Sequence, residues 1–236
     1  MASRDFVALE VVITVVTNIS TWPGVVLCWR REWYYEAVLG AAAFLTSVFY
    51  HVADIHHRLY PRYKDWLGMT SGNWHRLDNI FCILCLNSLA FFLSGWEDRK
   101  SKELFRWVLL CWTLWCQERG PWDVTFTLLP IATSIVCVML RLLQERFRSI
   151  PSFHKDRLLA GCLLMSIAFV FFVLGLDERN DFLRIYHGLW HMLGGLAMWA
   201  FLSSKKDVPC VQHHHHQPQQ MEGYYPLYVS TKEHQQ

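Results

Sequence analysis

The sequence predicts an all-α membrane protein, a bundle of seven transmembrane helices with the N-terminus outside and the C-terminus cytoplasmic. Three observations carry that prediction. The 236-residue chain is 53% apolar and only 18% charged, against about 25% charged in soluble domains. Its apolar residues gather in seven runs, most of them about 18 to 22 residues long, the length that crosses the hydrocarbon core of a bilayer. Lysine and arginine divide fourteen to eight between the two sides that seven spans would define, and the richer side, which includes the tail, is expected inside.

The first span is expected at Phe6–Cys28, with Glu10 near its start, Pro23-Gly24 near its end and Arg30-Arg31 after it. No small-residue cleavage site follows, so it reads as a retained span rather than a signal peptide. The second is Trp33–Asp54. A polar loop from Ile55 to Arg76 leads to the third, Leu77–Gly95. The fourth, Leu104–Cys116, is short and works only if Arg106 snorkels to the interface. The fifth, Val124–Leu143, holds Pro130, a kink that neighbouring helices tolerate. The sixth is Leu158–Leu176 and the seventh Phe182–Leu202, separated by a charged turn. Residues 1–204 form the seven-helix domain. Residues 205–236, polar and rich in Gln and His, form a disordered cytoplasmic tail. Its His213–His216 run binds metal only adventitiously, and Tyr224-Tyr225-Pro226-Leu227 fits a short sorting pattern.

Composition excludes several classes. A net charge of +2 without a dense basic tract argues against nucleic acid. The cysteines sit mostly in apolar runs, where a thiol packs as a small hydrophobe. Cys82 and Cys85 make a lone C-x-x-C, which cannot complete a zinc site by itself. No inverted repeat of the transporter kind is visible.

The ionisable residues inside the spans carry the chemistry, because such groups are expensive in lipid and face the bundle interior. Ser47, His51 and Asp54 lie at i, i+4 and i+7 on one face of the second helix. His187 and His191 lie at i, i+4 on the seventh, and Asp78 opens the third. The expected topology brings the five ionisable groups to one depth at the outer side, with Ser47 one turn deeper. Three histidines from two helices match a zinc site with three protein ligands and one open position. His51, His187 and His191 are therefore the expected metal ligands. Asp78 would hold the attacking water or act as general base, and Ser47 would donate a hydrogen bond to that water or to an oxyanion. Asp54 would orient a histidine ring or pair with Arg58. Glu10 and Glu36, near span ends, are assigned no chemistry.

This combination resembles the CREST superfamily of seven-helix membrane proteins, which includes alkaline ceramidases and the progestin and adipoQ receptors. The superfamily's Ser and His on the second helix, Asp on the third and His-x-x-x-His on the seventh are matched by Ser47, His51, Asp78, His187 and His191. Tyr34-Tyr35-Glu36-Ala37, Phe49-Tyr50-His51 with Asp54, Arg119-Gly120-Pro121-Trp122 and His187-x-x-Trp190-His191 are similar to the transmembrane protein 8 and myomaker group. The resemblance spans roughly Phe6 to Ser203. It implies a zinc-dependent hydrolase acting on an ester or amide bond of a membrane lipid. Its members also leave open a non-catalytic protein of cell fusion or membrane remodelling, and an adipoQ-type receptor. The expected setting is the plasma membrane or the secretory pathway, with a lipid as partner, homo-oligomerisation possible and no nucleic acid.

Overall fold

The computed structural model describes residues 4–206 apart from 97, 149, 178, 179 and 182. The tail expectations concern residues 207–236 and lie outside the described residues. Those described form an all-helical membrane protein with one small hairpin. In order, they are α1 (Arg4–Val11), α2 (Trp22–Arg30), α3 (Tyr34–Leu59), β1 (Asp65–Trp66), β2 (Met69–Thr70), α4 (Ser71–Ser94), α5 (Arg99–Arg119), α6 (Val124–Gln144), α7 (Lys155–Gly175) and α8 (Ile185–Ser204). A π-helical turn, Val12–Val16, and a 3-10 turn, Thr17–Thr21, join α1 to α2. Phe6–Arg30 thus makes one continuous span.

Among the described residues, five helical segments are long and apolar enough to cross a membrane: Phe6–Arg30, α3, α4, α6 and α7. Their outward surface is apolar as well. Val38, Leu140, Leu159 and Leu163 are each more than half exposed, a surface that a bilayer covers and water does not. The two remaining long helices fall short for different reasons. The start of α5 is crowded with Arg99, Lys100, Lys102 and Glu103, and α8 interrupts its apolar run with His187, His191 and three glycines.

Several boundaries differ from expectation. The polar loop after the second span contracts, because α3 continues to Leu59 and α4 starts at Ser71. Thr70 caps α4 by accepting the Asn73 N–H at 3.2 Å, a typical N-cap role for a hydroxyl. Between them the hairpin pairs Asp65 with Thr70 and Trp66 with Met69. Leu67 and Gly68 both take positive φ at its tip, as a tight two-residue turn requires. Trp66 and Trp74 pack against Phe49, with ring centres 5.5 and 4.9 Å away, folding the hairpin over one end of the bundle. The fourth run extends to 21 residues as α5, capped by Asp98, which accepts the Ser101 N–H at 3.1 Å.

Arg106 is tied to carboxylates of two helices. Its guanidinium lies 2.7 Å from Glu36, which in turn accepts a hydrogen bond from Ser88 at 3.2 Å, and it also pairs with Glu103 at 2.8 Å. A charge paired in this way can stay at membrane depth, and Glu36 thereby gains a role in tying α3 to α4 and α5.

The first span is irregular for a local reason. Pro23 lacks an N–H and crowds the carbonyl four residues back. Upstream, Thr14, Thr17 and Asn18 turn their side chains onto the carbonyls of Glu10, Ile13 and Thr14, competing with the backbone ladder.

Candidate metal centre

Residues from three helices meet at the hairpin-covered end of the bundle. His51 comes from the second half of α3, Asp78 from the first turns of α4, and His187 and His191 from the first two turns of α8. The three imidazole Nε2 atoms form a triangle with edges of 2.9, 3.2 and 3.3 Å. A neutral ring nitrogen is either a donor or an acceptor. In a triangle at least one edge must then join two of a kind, which is repulsive. A single cation at the centre satisfies all three lone pairs. Ligands held tetrahedrally about 2.0–2.1 Å from zinc stand about 3.3 Å apart, so the donor set and its spacing fit that ion.

Asp78 and Ser47 complete the surroundings. Both are buried, as is His51. The Ser47 hydroxyl lies beside the Asp78 carboxyl, yet its Oγ has no hydrogen-bond partner of ordinary geometry among the described residues. A buried hydroxyl left in that state costs about 1–3 kcal/mol, and a bound water or substrate oxygen would remove the penalty. Neither Asp78 nor Asp54 adds a ligand atom to the histidine group, and Asp54 has an ion pair of its own. It is a partner of Arg58 at 3.3 Å, and Arg58 also pairs with Glu10.

Ser47, Asp78 and His191 line one end of a cavity of about 130 Å³. Its walls are mostly apolar and come from the first span, α3, α4, α7 and α8. Cys28, Glu36, Phe92 and Leu202 line its other end. From Ser47 to Glu36 along α3, and from His191 to Leu202 along α8, is eleven residues, about 16 Å of helix rise. His191 therefore stands at one end of a long, mostly apolar space.

Several positioning residues escaped the sequence reading. Asp181, only 3% exposed, accepts the backbone N–H groups of Tyr186 and His187, each at 3.0 Å. Its carboxylate sits at the positive end of the α8 dipole and holds the first turn that carries His187. Ser20 donates to the His191 carbonyl at 3.1 Å. Glycines set the depth of α8. A Cβ on Gly175 would lie 3.1 Å from the His187 nitrogen, and one on Gly195 would lie 2.4 Å from Ser20 Oγ. Small residues allow helices to approach closely where no hydrophobic force drives them together. A charged turn containing an Asp and a scatter of glycines are too common for sequence alone to single these out. Around the rim, Tyr50 packs 4.7 Å from His51 and from His75, and His75 stacks on Trp122 at 3.7 Å.

One variant tests this seating. A Cβ at Gly188 would meet Ile13 Cγ2 at 2.5 Å and the Ile13 carbonyl oxygen at 2.9 Å. Gly188→Ala is expected to destabilise the bundle by about 1–3 kcal/mol through overpacking and to lower metal content, since it lies between His187 and His191. Thermal unfolding and metal analysis in detergent read both effects. A variant with unchanged melting and metal would mean that α8 does not rest on Ile13.

A family model described as a protein of unknown function (DUF3522) matches residues 7–192, a range that takes in every residue of the centre. No curated protein matches the sequence.

Proposed function

We propose that this chain, which belongs to the DUF3522 family, is a membrane-embedded zinc-dependent hydrolase that cleaves an ester or amide bond of a membrane lipid. The observation that carries this reading is the triangle of histidine nitrogens, one of whose residues, His191, lines a mostly apolar cavity together with Ser47 and Asp78. His51, His187 and His191 would hold the zinc, which supplies Lewis acidity toward water and toward a carbonyl. Asp78 takes the proton from the attacking water as the water oxygen bonds to the acyl carbon. The Ser47 hydroxyl donates to the oxyanion that develops. Asp78 then passes its proton to the leaving alkoxide or amine as the C–O or C–N bond breaks, releasing a fatty acid. Apolar walls keep bulk water from the acyl chain. The likeness of these residues to the CREST pattern belongs to the same proposal.

Turnover is tested on purified protein in nanodiscs offered ceramides, lysolipids, phospholipids and glycosylphosphatidylinositol lipids. Release of a fatty acid that stops on chelation and returns with zinc supports the reading. A zinc-loaded protein inactive on the whole panel would favour a structural centre and a non-catalytic role in membrane remodelling or signalling.

The proposed topology has all seven long helices crossing, with the histidine centre at the outer side and residue 206 at the cytoplasmic side. The pairing of Arg106 with Glu36 supports α5 as a crossing helix despite its charges. Epitope tags at the two ends, probed with and without permeabilisation, are expected to report opposite sides. Both tags on one side would refute seven crossings.

A further inference from the structure

We propose that the end of the bundle opposite the histidines binds the phosphate headgroup of an anionic glycerophospholipid. The site is built where α2, α5 and α8 end or begin. The Arg31 guanidinium donates to the carbonyls of Leu202 and Lys205 at 3.3 and 3.4 Å and lies 5.1 Å over the Trp33 ring. The Lys205 ammonium stands 6.0 Å from the Trp33 ring and 5.6 Å from the Phe92 ring. Lys102 lies within electrostatic reach of both Lys205 and Arg106, and exposed Lys206 follows on a backbone fixed by a bond from its N–H to the Ser152 carbonyl at 3.1 Å. The backbone carrying these cations is thus held in place before any ligand arrives.

The charge here is not balanced. Among the described residues, Lys102, Arg106, Lys205 and Lys206 stand with two carboxylates, Glu36 and Glu103, and Arg106 engages both of them. Like charges held this close repel one another, and a phosphate relieves the repulsion. Position selects a lipid phosphate over a soluble one. The cluster sits at the ends of membrane-crossing helices, with Trp33 and Phe92 beside it as interfacial rings. Directly beneath lie Cys28, Phe92 and Leu202, the near end of the apolar cavity, which offers space for an acyl chain. A basic cluster between helices at a membrane face is a known means of holding an anionic headgroup. The headgroup would stand about 16 Å of helix rise from Ser47, so its phosphate lies away from the histidines. The proposal depends on neither zinc nor hydrolysis.

The test is native mass spectrometry of the full-length protein in detergent, titrated with dioleoyl phosphatidic acid or dioleoyl phosphatidylcholine. Retention of the phosphatidic acid is expected to be tighter by roughly tenfold or more, since several cations act together. The triple variant Lys102→Gln, Lys205→Gln, Lys206→Gln is expected to lose that preference. Arg62→Gln with Lys64→Gln, which removes two charges from the turn leading into the hairpin at the other end, is expected to keep it. If the triple variant does not fold, the pair Lys205→Gln, Lys206→Gln carries the same readout. Equal retention of the two lipids, an unchanged preference in the folded variant, or an equal loss in the hairpin control would overturn the proposal. Displacement of the lipid by millimolar glycerol 3-phosphate would show a soluble phosphate site instead, and would overturn it as well.

Discussion

Asp78→Asn is expected to leave the protein folded and metal-loaded while lowering lipid hydrolysis by about 10²- to 10⁴-fold, the usual loss on removing a positioned general base. The substitution is nearly isosteric and keeps a hydrogen-bonding group beside Ser47, so the packing of α3 against α4 survives. What disappears is the carboxylate that takes the proton from water. Ser47→Ala is expected to weaken turnover less, because it removes one hydrogen bond to the oxyanion and leaves the base in place. The measurements are metal per chain, melting temperature and fatty-acid release on the same preparations. If Asp78→Asn instead loses its metal, Asp78 is a fourth ligand that closes the coordination sphere. The centre is then structural, and the hydrolase reading fails.

Removing the ligands acts on the fold as well as on the metal. Each of His51→Ala, His187→Ala and His191→Ala is expected to lower bound zinc, and the triple variant to abolish it. A ligand present at a hundred times its Kd stabilises the native state by about 2.7 kcal/mol, so chelation of the wild type should depress its melting temperature. The triple variant should already melt low and ignore the chelator. The experiment uses protein lacking His213–His216, since that run can bind metal by itself. Undiminished zinc in the truncated triple variant would exclude the centre. So would a wild type whose melting is indifferent to chelation.

Helices α3, α4, α6 and α7 were legible in the sequence because apolar run length and 3.6-residue periodicity are local properties. So was the sharing of a face by Ser47 with His51 and by His187 with His191. The limits of α5 were not. Its flanking charges look like loop until Arg106 is seen against Glu36, a residue 70 positions away in sequence. The hairpin was missed because its strands are two residues each, too short for any alternation to show. Asp54 had two readings at the sequence level, and the structure shows its ion pair with Arg58, one helical turn on.

The sequence by itself determined a multi-pass helical membrane protein, and it determined which polar residues lie within apolar runs. Bilayer thickness and the cost of unsatisfied backbone groups in lipid permit few other solutions. Only the tertiary structure decided that three imidazole nitrogens stand within 3.3 Å of one another. That convergence depends on the rotation and depth of α8 against α3. Both are set by contacts far apart in sequence: Gly188 on Ile13, Gly195 on Ser20 and the Asp181 carboxylate on the first turn of α8. Periodicity places a side chain on a face. The packing of one helix against another decides what that face meets.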